Sequence, residues 1–452
     1  MFPRTGRRAT RGLAALTLGA ASVAAAPAAA LAADAPGAPG HSLASNTRFF
    51  VPPPSSGAIA QIKQLVRGGD GRDAALLARM AATPQAVWFT GGTPAQVRQQ
   101  AHDTIRQAAF ERAAPVMVAY DIPGRDCSQY SAGGALDQSA YEAWIDALAA
   151  GIGRAKTVVI LEPDALGNMP SNCGQTSSAY PFTDAERISE IDYAVSALEK
   201  DPGAAVYLDG THSGWQSVGT MTQRLLAGDV RQAQGFFLNV SNYQADPQLI
   251  DYGTWISDCI AMVTDPNNWA YNQPSDCASQ YYPASPGDFS TWGLTTQWYA
   301  QNMGDAVADT HFVIDTSRNG QGPNNMQAYA AAPYNQPASV ISKLVSGNWC
   351  NPPASGLGLR PTAKTGVPLL DAYLWVKIPG QSDGQCDAAG GVRAWDYSAY
   401  TQPGWPVDAA SRQLFDPLWG LNDPAAGAWF PQQALQLAQE AQPSLFSFGR
   451  GW

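Results

Sequence analysis

Short apolar runs recur along the chain, and most lead into a longer stretch with helical spacing. "AVWFT" (86–90) is followed by a helical pattern from Pro94 to about Arg112, and "PVMVAYDI" (115–122) by one around Tyr141 to Gly151. "TVVILEP" (157–163) leads to "DAERISEIDYAVSALEK" (184–200), and "AAVYLD" (204–209) to a helix near Met221. "GFFLNV" (235–240), "HFVIDT" (311–316) and "LLDAYLWVK" (369–377) complete the series, with a last helix from Trp429 to about Ala441. Apolar, β-branched runs bounded by turn residues read as buried strands. Seven of them, most followed by a helix, predict an α/β protein with a parallel β/α barrel of the TIM type. No Gly-x-Gly-x-x-Gly opens a helix after the first strand, which argues against a dinucleotide fold. Two regions break the alternation, 241–290 and 383–424, rich in Trp, Tyr, Pro, Asn and Gly. They are expected to be long irregular loops that wall an active site.

In "VVILEPDALG" (158–167) the apolar run meets Glu162, Pro163 and Asp164. Proline cannot continue a ladder, so the strand should stop near Glu162 and leave both acids at a strand end. Strand ends are where barrels keep their chemistry. Other acids stand at the same end: Asp121, Asp126, Asp209, Asp315 and Asp383. A single strand-end Asp caps the following helix. Several converging on one mouth raise the pKa of at least one carboxyl and so create a general acid at neutral pH. Glycoside hydrolysis needs such a pair, one group to protonate the leaving oxygen and one to act on water or carbon. Clustered oxygens also suit calcium or magnesium. The loop spacing of a calcium site is absent, however, and Arg125, His212 and Lys377 stand beside the acids. No metal and no cofactor is therefore expected. No Gly-x-Ser-x-Gly elbow is present, and His212 next to Ser213 does not make a serine hydrolase. His212 is expected to hydrogen-bond substrate or main chain.

The first 32 residues carry four arginines, an Ala/Leu/Val stretch and Ala30-Leu31-Ala32, the pattern of a secretory signal peptide. Arg7-Arg8 hints at the twin-arginine route, with Sec export as the alternative. Residues 33–46 read as a short Ala/Pro/Gly/Ser linker and 47–452 as a single domain, released, soluble and monomeric. Without the leader, 23 basic residues face 37 acidic ones, a net charge of −14 in place of −10. Such a balance disfavours nucleic acid and anionic membranes as partners. Six cysteines in an exported chain predict three disulfides, and fifteen pairings are open. Tryptophans lie in Gly-, Ser- and Asn-rich segments, where flat apolar faces stack on sugar rings.

"VAYDIPGRDCSQYSAGG" (118–134) and "VVILEPDALG" closely resemble the two signatures of glycoside hydrolase family 6, the inverting cellulases. "WFTGG", "YLDGTHSGW", "LNVSNY", "SRNGQGP", "GNWCNP" and "LWVKIPGQSDG" follow in the family's order, so the resemblance covers Thr47 to Ser444. It implies a distorted seven-stranded barrel roofed by loops. It also implies Asp164 as proton donor, Asp126 as the neighbour that raises the donor's pKa and positions water, Tyr120 crowding the distorted sugar, and Arg125 tuning the acids. Asp383 is the implied candidate for the base and Asp209 a structural or binding acid, while Glu162 holds local hydrogen bonds. Inversion calls for acid and base carboxyls about 6.5 to 9.5 Å apart. Trp88, Ser131, His212, Trp215, Asn239, Trp349 and Lys377 match sugar-binding positions, and Gln381 stands where the family has Glu. The implied disulfides are Cys127 with Cys173 and Cys350 with Cys386, which leaves Cys259 for Cys277. The wording of the two insertions resembles bacterial cellobiohydrolases, implying release of cellobiose from the non-reducing end. An endo-acting glucanase and an inactive secreted glucan-binding protein are the alternatives. No separate cellulose-binding module is visible, so weak binding to crystalline cellulose is expected.

Overall fold

The computed structural model describes residues 43–173, 181–387 and 392–447. The leader expected at 1–32, and all but residues 43–46 of the expected linker, lie outside the described residues. Two helices, α1 (Ser56–Gly68) and α2 (Gly71–Ala81), precede the sheet. The chain then alternates through β1 (Val87–Phe89), α3 (Pro94–Phe110), β2 (Val116–Ala119), α4 (Gln138–Ile152), β3 (Thr157–Leu161), α5 (Asp184–Leu198), β4 (Ala204–Asp209), α6 (Val218–Ala227) and β5 (Gly235–Leu238). It continues with α7 (Asp246–Thr264), α8 (Gly293–Asn302), β6 (His311–Asp315), α9 (Ala338–Ser346) and β7 (Leu370–Leu374). A small hairpin, β8 (Phe415–Asp416) and β9 (Leu421–Asn422), precedes α10 (Pro431–Gln439).

All seven expected strands form, six of them shorter than the apolar run and β4 filling its run, Ala204–Asp209. They pair in parallel in chain order, β1 to β7, as the alternation predicts. Their sheet curls into a distorted barrel. Across the seam between β7 and β1 the described contacts are Ala86 N–H to Trp375 O at 2.9 Å and the Trp88 indole N–H to Val376 O at 2.8 Å. A three-residue β1 has too little backbone to carry a full ladder on both edges.

Period-2 alternation sorts the strand residues between two cores. Val116, Val118, Val158, Ile160, Phe237, Val313 and Leu374 fill the barrel. Met117, Ala119, Val159, Leu161 and Phe236 face the helices and pack against Trp144, Leu148 and Ile191. Helix starts follow local chemistry. Thr93 with Gln96 and Thr183 with Glu186 form capping boxes for α3 and α5, and the Asp137 carboxylate accepts from Ala140 N at 2.9 Å to cap α4.

The expectation of irregular chain throughout 241–290 is corrected by α7, a helix of 19 residues. Trp255, Ile256, Cys259, Ile260 and Val263 are buried together with Leu249 and Tyr252, so apolar residues surround much of the axis. A helix buried on several faces gives no clean stripe in the sequence. The segment after it is irregular as expected and is tied back by Cys259–Cys277. Helices α1, α2, α8 and α9 were not among the expected elements, and the last helix is shorter than 429–441.

The N-terminal ends of β6 and β7 are joined by a polar knot. Asp371 accepts from the Tyr207 hydroxyl at 2.6 Å and the Gln234 amide at 3.0 Å, and pairs with His311 Nδ1 at 2.7 Å. The hydrogen bond to Asp371 raises the His311 pKa, against the opposing effect of burial. A raised value means that this contribution to stability is full below the unfolded imidazole pKa, about 6.5, and fades as pH rises through the folded one. Replacing His311 with Ala should therefore lower the unfolding temperature most below about pH 6.5, with the gap to the parent narrowing on the alkaline side. Thermal melts across this range test it; a gap that widens with pH would refute the assignment.

Candidate active site

Strand β3 ends at Leu161, and Glu162 turns the chain with φ 50°. Its buried carboxylate accepts from Asp121 N at 3.0 Å and Ile122 N at 3.1 Å, so it holds the exit of β2 rather than facing the cleft. Burial raises its pKa to about 8, with the two backbone donors pulling the other way. Two residues on, Asp164 has φ 67° and is half-buried. Among the described residues none donates a hydrogen bond to its carboxyl. Burial raises its pKa, and the negative charges of Asp209, Asp126 and Asp383 raise it further, while Lys377 lowers it.

The loop carrying Asp164 is built by its neighbours. Asp209 Oδ2 accepts from Leu166 N at 3.1 Å and Gly167 N at 2.9 Å, and Oδ1 accepts from Thr211 N at 2.9 Å. Asp209 is thus a structural acid whose charge also acts on Asp164. Gly167 lies under the Trp215 indole, where a Cβ would come within 2.7 Å of the ring. Buried Arg187 donates to Ala165 O at 3.0 Å and to Pro123 O at 2.9 Å, joining the β2 and β3 loops.

Asp126 sits in the β2 loop within three consecutive left-handed residues, Asp126, Cys127 and Ser128, at φ 55°, 47° and 60°. Non-glycine residues avoid this region at a cost of about 1–3 kcal/mol each, and such outliers cluster at functional sites. The loop is held by Cys127–Cys173 and by Ser131 N, which donates to Asp126 Oδ2 at 2.6 Å. Arg125 donates to Ser131 O and Thr90 O, both at 2.9 Å, and to Tyr120 O, and its guanidinium lies 4.7 Å from the centre of the Tyr120 ring. Burial raises the pKa of Asp126, and the Ser131 N–H and Arg125 restrain it. Tyr120 is buried, edge-on to Trp88 at 5.4 Å. Asp121, also buried, is pushed up to about 6 by burial, with Arg125 opposing.

Asp383 is in the opposite electrostatic state. Oδ2 pairs with Arg318 at 2.8 Å and accepts from Asn351 N at 2.9 Å and the Tyr243 hydroxyl at 3.2 Å, while Oδ1 pairs with Lys377 at 3.1 Å. Burial alone would raise its pKa, but the two cations prevail and hold it at about 2. Asp315 accepts from Ser241 N, Ser317 N, Val376 N and Lys377 N, knitting the loops after β5, β6 and β7.

Of the expected sugar-binding positions, Trp88, Ser131, His212, Trp215, Trp349, Lys377 and Gln381 are half-buried. Burial lowers the His212 pKa to about 4. Its Nδ1 accepts from Gly214 N at 3.1 Å, so the ring proton lies on Nε2. Asn239 departs from expectation: it is fully buried, donates to Asp315 O at 2.9 Å and accepts from Gln244 N at 2.9 Å, so it shapes the turn after β5 and does not reach the cleft. The three disulfides pair as the resemblance implied.

Sequence reasoning missed Arg318, Tyr243, Asn351 and Arg187. The first three lie inside quoted motifs, and nothing in the chain order says that they meet at Asp383. Arg187 had a usable signal, since it falls on the helix face shared by Ile191, Ala194 and Leu198, where a charge must have buried acceptors.

A family model described as Glycosyl hydrolases family 6 matches residues 44–441. The chain is 32% identical over 395 residues to endoglucanase A of Cellulomonas fimi, covering 87% of this chain and 61% of that protein. It is 28% identical over 355 residues to the probable 1,4-beta-D-glucan cellobiohydrolase C of Aspergillus fumigatus, covering 73% of this chain and 62% of that protein. It thus spans less than two thirds of the length of either relative. The solved structure of the endoglucanase Cel6 from Mycobacterium tuberculosis, in complex with a methyl-cellobiosyl-4-deoxy-4-thio-beta-D-cellobioside, superposes with a TM-score of 0.57 at 31% identity, covering 88% of this chain and 98% of that one.

Replacing Glu162 with Leu removes the acceptor of two buried N–H groups, each costing about 1–3 kcal/mol when left unmet. Urea unfolding should show a loss of roughly 2–4 kcal/mol. A loss below about 1 kcal/mol would mean that those amides find other partners.

Proposed function

The chain belongs to glycosyl hydrolases family 6, and from that premise we propose that it hydrolyses β-1,4-glucosidic bonds of cellulose with inversion, releasing cellobiose from the non-reducing end. The observation that carries the chemistry is the state of Asp164. It is half-buried, receives no described hydrogen bond, and is surrounded by the charges of Asp209, Asp126 and Asp383, so its carboxyl holds its proton well above the usual carboxylate range. A carboxylic acid in that state donates to the glycosidic oxygen as the bond to the anomeric carbon breaks.

Inversion requires a second group to take the proton of the attacking water. Asp383 is ill suited to this, because a carboxylate held at about 2 by Arg318 and Lys377 has little affinity for a proton. We assign it the work of charge: it stays ionised, raises Asp164 and orients Lys377 toward sugar hydroxyls. Asp126, raised by burial and not countered by an equally close cation pair, is the better acceptor. Tyr120 crowds the sugar at the cleavage point. Trp88, Trp215 and Trp349 offer flat faces to pyranose rings, and His212 Nε2–H, Ser131 and Gln381 offer polar groups to hydroxyls. Gln381 brings no charge to its subsite.

Two features support exo action. The β2 and strand-7 loops meet over the seam, with Tyr130 against Gly384, its hydroxyl 3.5 Å from Asp387 N, and its ring 5.8 Å from that of Trp349. The segment beyond Asp383 is also held at its base, where Ser382 N donates to Ala428 O and Gly427 N to Ser382 O. Endo action is the second reading, favoured by the identity to bacterial proteins named endoglucanases. Export as a signal-bearing precursor is part of the proposal and is supported by the N-terminal pattern and the three disulfides.

Asp164→Ala should lower kcat on cello-oligosaccharides about 10²–10⁴-fold with little change in KM, and much less on an aryl cellobioside whose leaving group needs no proton. Equal losses on both substrates would remove Asp164 from the donor role. Product analysis on a soluble cellulose derivative separates the modes: cellobiose with a slow viscosity drop supports exo action, and a rapid viscosity drop with little cellobiose supports endo action.

A further inference from the structure

The segment from Asp383 to Pro424 leaves and rejoins the barrel at one neck. Ser382 N donates to Ala428 O and Gly427 N to Ser382 O, each at 2.9 Å, and the Ser382 hydroxyl donates to Pro424 O at 2.8 Å. Asn351, at φ 41°, stands between the two ends. Its N–H donates to Asp383 Oδ2 at 2.9 Å and its Oδ1 accepts from Asp383 N at 2.8 Å, while Nδ2 donates to Asp423 Oδ2 at 3.1 Å. One asparagine therefore fixes Asp383 at the start of the segment and Asp423 at its end.

Asp423 lies against a second buried carboxyl, that of Asp416. Both are almost wholly buried, and carboxyl oxygens of the two lie within 4.8 Å of each other and of Cys386 Sγ, which is in a disulfide and cannot ligate a metal. The donors around Asp416 mark it as the ionised member. Arg393 Nε reaches Oδ2 at 2.8 Å and Leu418 N reaches Oδ1 at 2.7 Å, and the same guanidinium donates to Cys350 O. Asp423 Oδ1 finds no hydrogen-bond donor among the described residues. Two buried carboxylates so close repel each other unless one carries a proton.

We propose that Asp423 is protonated and donates to Asp416, and that this shared proton makes Asp423 a positioning residue for Asp383, acting through Asn351. The O–H of Asp423 gives its neighbour a donor and leaves its other oxygen for the Asn351 amide. Without the proton the pair repels, Asn351 keeps the Trp419 indole N–H on its carbonyl at 2.7 Å but loses its side-chain anchor on the return side, and Asp383 is held less firmly between Arg318 and Lys377. Burial and the Asp416 charge push Asp423 to about 9, with Asn351 and Arg393 opposing. Beyond the pair, Tyr329 and Tyr397 face Asp416, and Arg412 stacks on Tyr397 at 3.9 Å. Both phenols are raised to about 12, so they remain neutral across this range.

The sign follows from the raised value. The proton's contribution to stability is full below the unfolded carboxyl value, about 4, and is lost as pH rises to about 9. The test compares Asp423→Asn and Asp423→Ala with the parent by thermal melts from about pH 5 to pH 9 and by kcat and KM on cellohexaose near pH 6. Asparagine keeps a neutral donor, so its melting temperature should fall less with pH than the parent's and its kcat should stay within about twofold. Alanine should lower kcat about tenfold with KM nearly unchanged. If Asp423→Ala does not fold, Asp423→Ser, without the reach to bridge Asp416 and Asn351, takes its place with the same expected kcat loss. A parent-like pH slope in Asp423→Asn would overturn the shared proton. An unchanged kcat in the folded alanine or serine variant would overturn the positioning role. The kinetic arm rests on the glucanase reading. If the parent leaves cellohexaose uncut, that reading fails, while the melts still judge the proton and the rate of amide exchange at Asn351 and Asp383 in the alanine or serine variant judges the positioning.

Discussion

Seven parallel strands end at one mouth, and the segments after β2 to β7 bring backbone N–H groups there that no ladder partner satisfies. Burying them unmet would be costly, and this chain meets the need with carboxylates. Glu162 takes the amides of Asp121 and Ile122; Asp209 those of Leu166, Gly167 and Thr211; Asp315 those of Ser241, Ser317, Val376 and Lys377; Asp383 that of Asn351. Each acid belongs to one strand end and holds a neighbouring loop, so the loops after β2, β3 and β4 are tied in one chain and those after β5, β6 and β7 in another, not left independent.

That architecture has an electrostatic consequence. Acids that serve the backbone are buried at the same end, and their charges add in a region of low dielectric. Asp164, with no donor to its carboxyl among the described residues, has its proton affinity raised by them. Arg318 and Lys377 neutralise the field locally at Asp383, and Arg125 does so near Asp126, so the site holds acids in three different states within one cleft. The left-handed turns at Glu162, Asp164 and Asp126 to Ser128 aim these side chains. Disulfide Cys127–Cys173 and the Arg187 guanidinium hold the strained loops in place.

Much of this was legible in the chain. The seven apolar runs marked every barrel strand in order, because a buried parallel strand has few polar positions to disguise it. Asp126 and Asp164 were two of seven acids marked at strand ends, and only the family resemblance set them apart from the others. Helix α7 escaped because apolar residues on several faces erase the amphipathic period. Asn239 looked like a binding residue from its motif, but its amide is engaged with Asp315 O and Gln244 N. The partners of Asp383 escaped as well, since Tyr243, Arg318 and Asn351 lie between 32 and 140 residues away from it.

The sequence by itself determined the seven barrel strands, their order and the strand end at which the acids gather, because periodicity and the strand-ending proline act locally along the backbone. Which acid keeps a proton, which is clamped by cations and which holds amides was decided only by the tertiary structure. Those states depend on burial and on charges brought together from distant segments, and Glu162 and Asp164, two residues apart, end with different tasks for that reason.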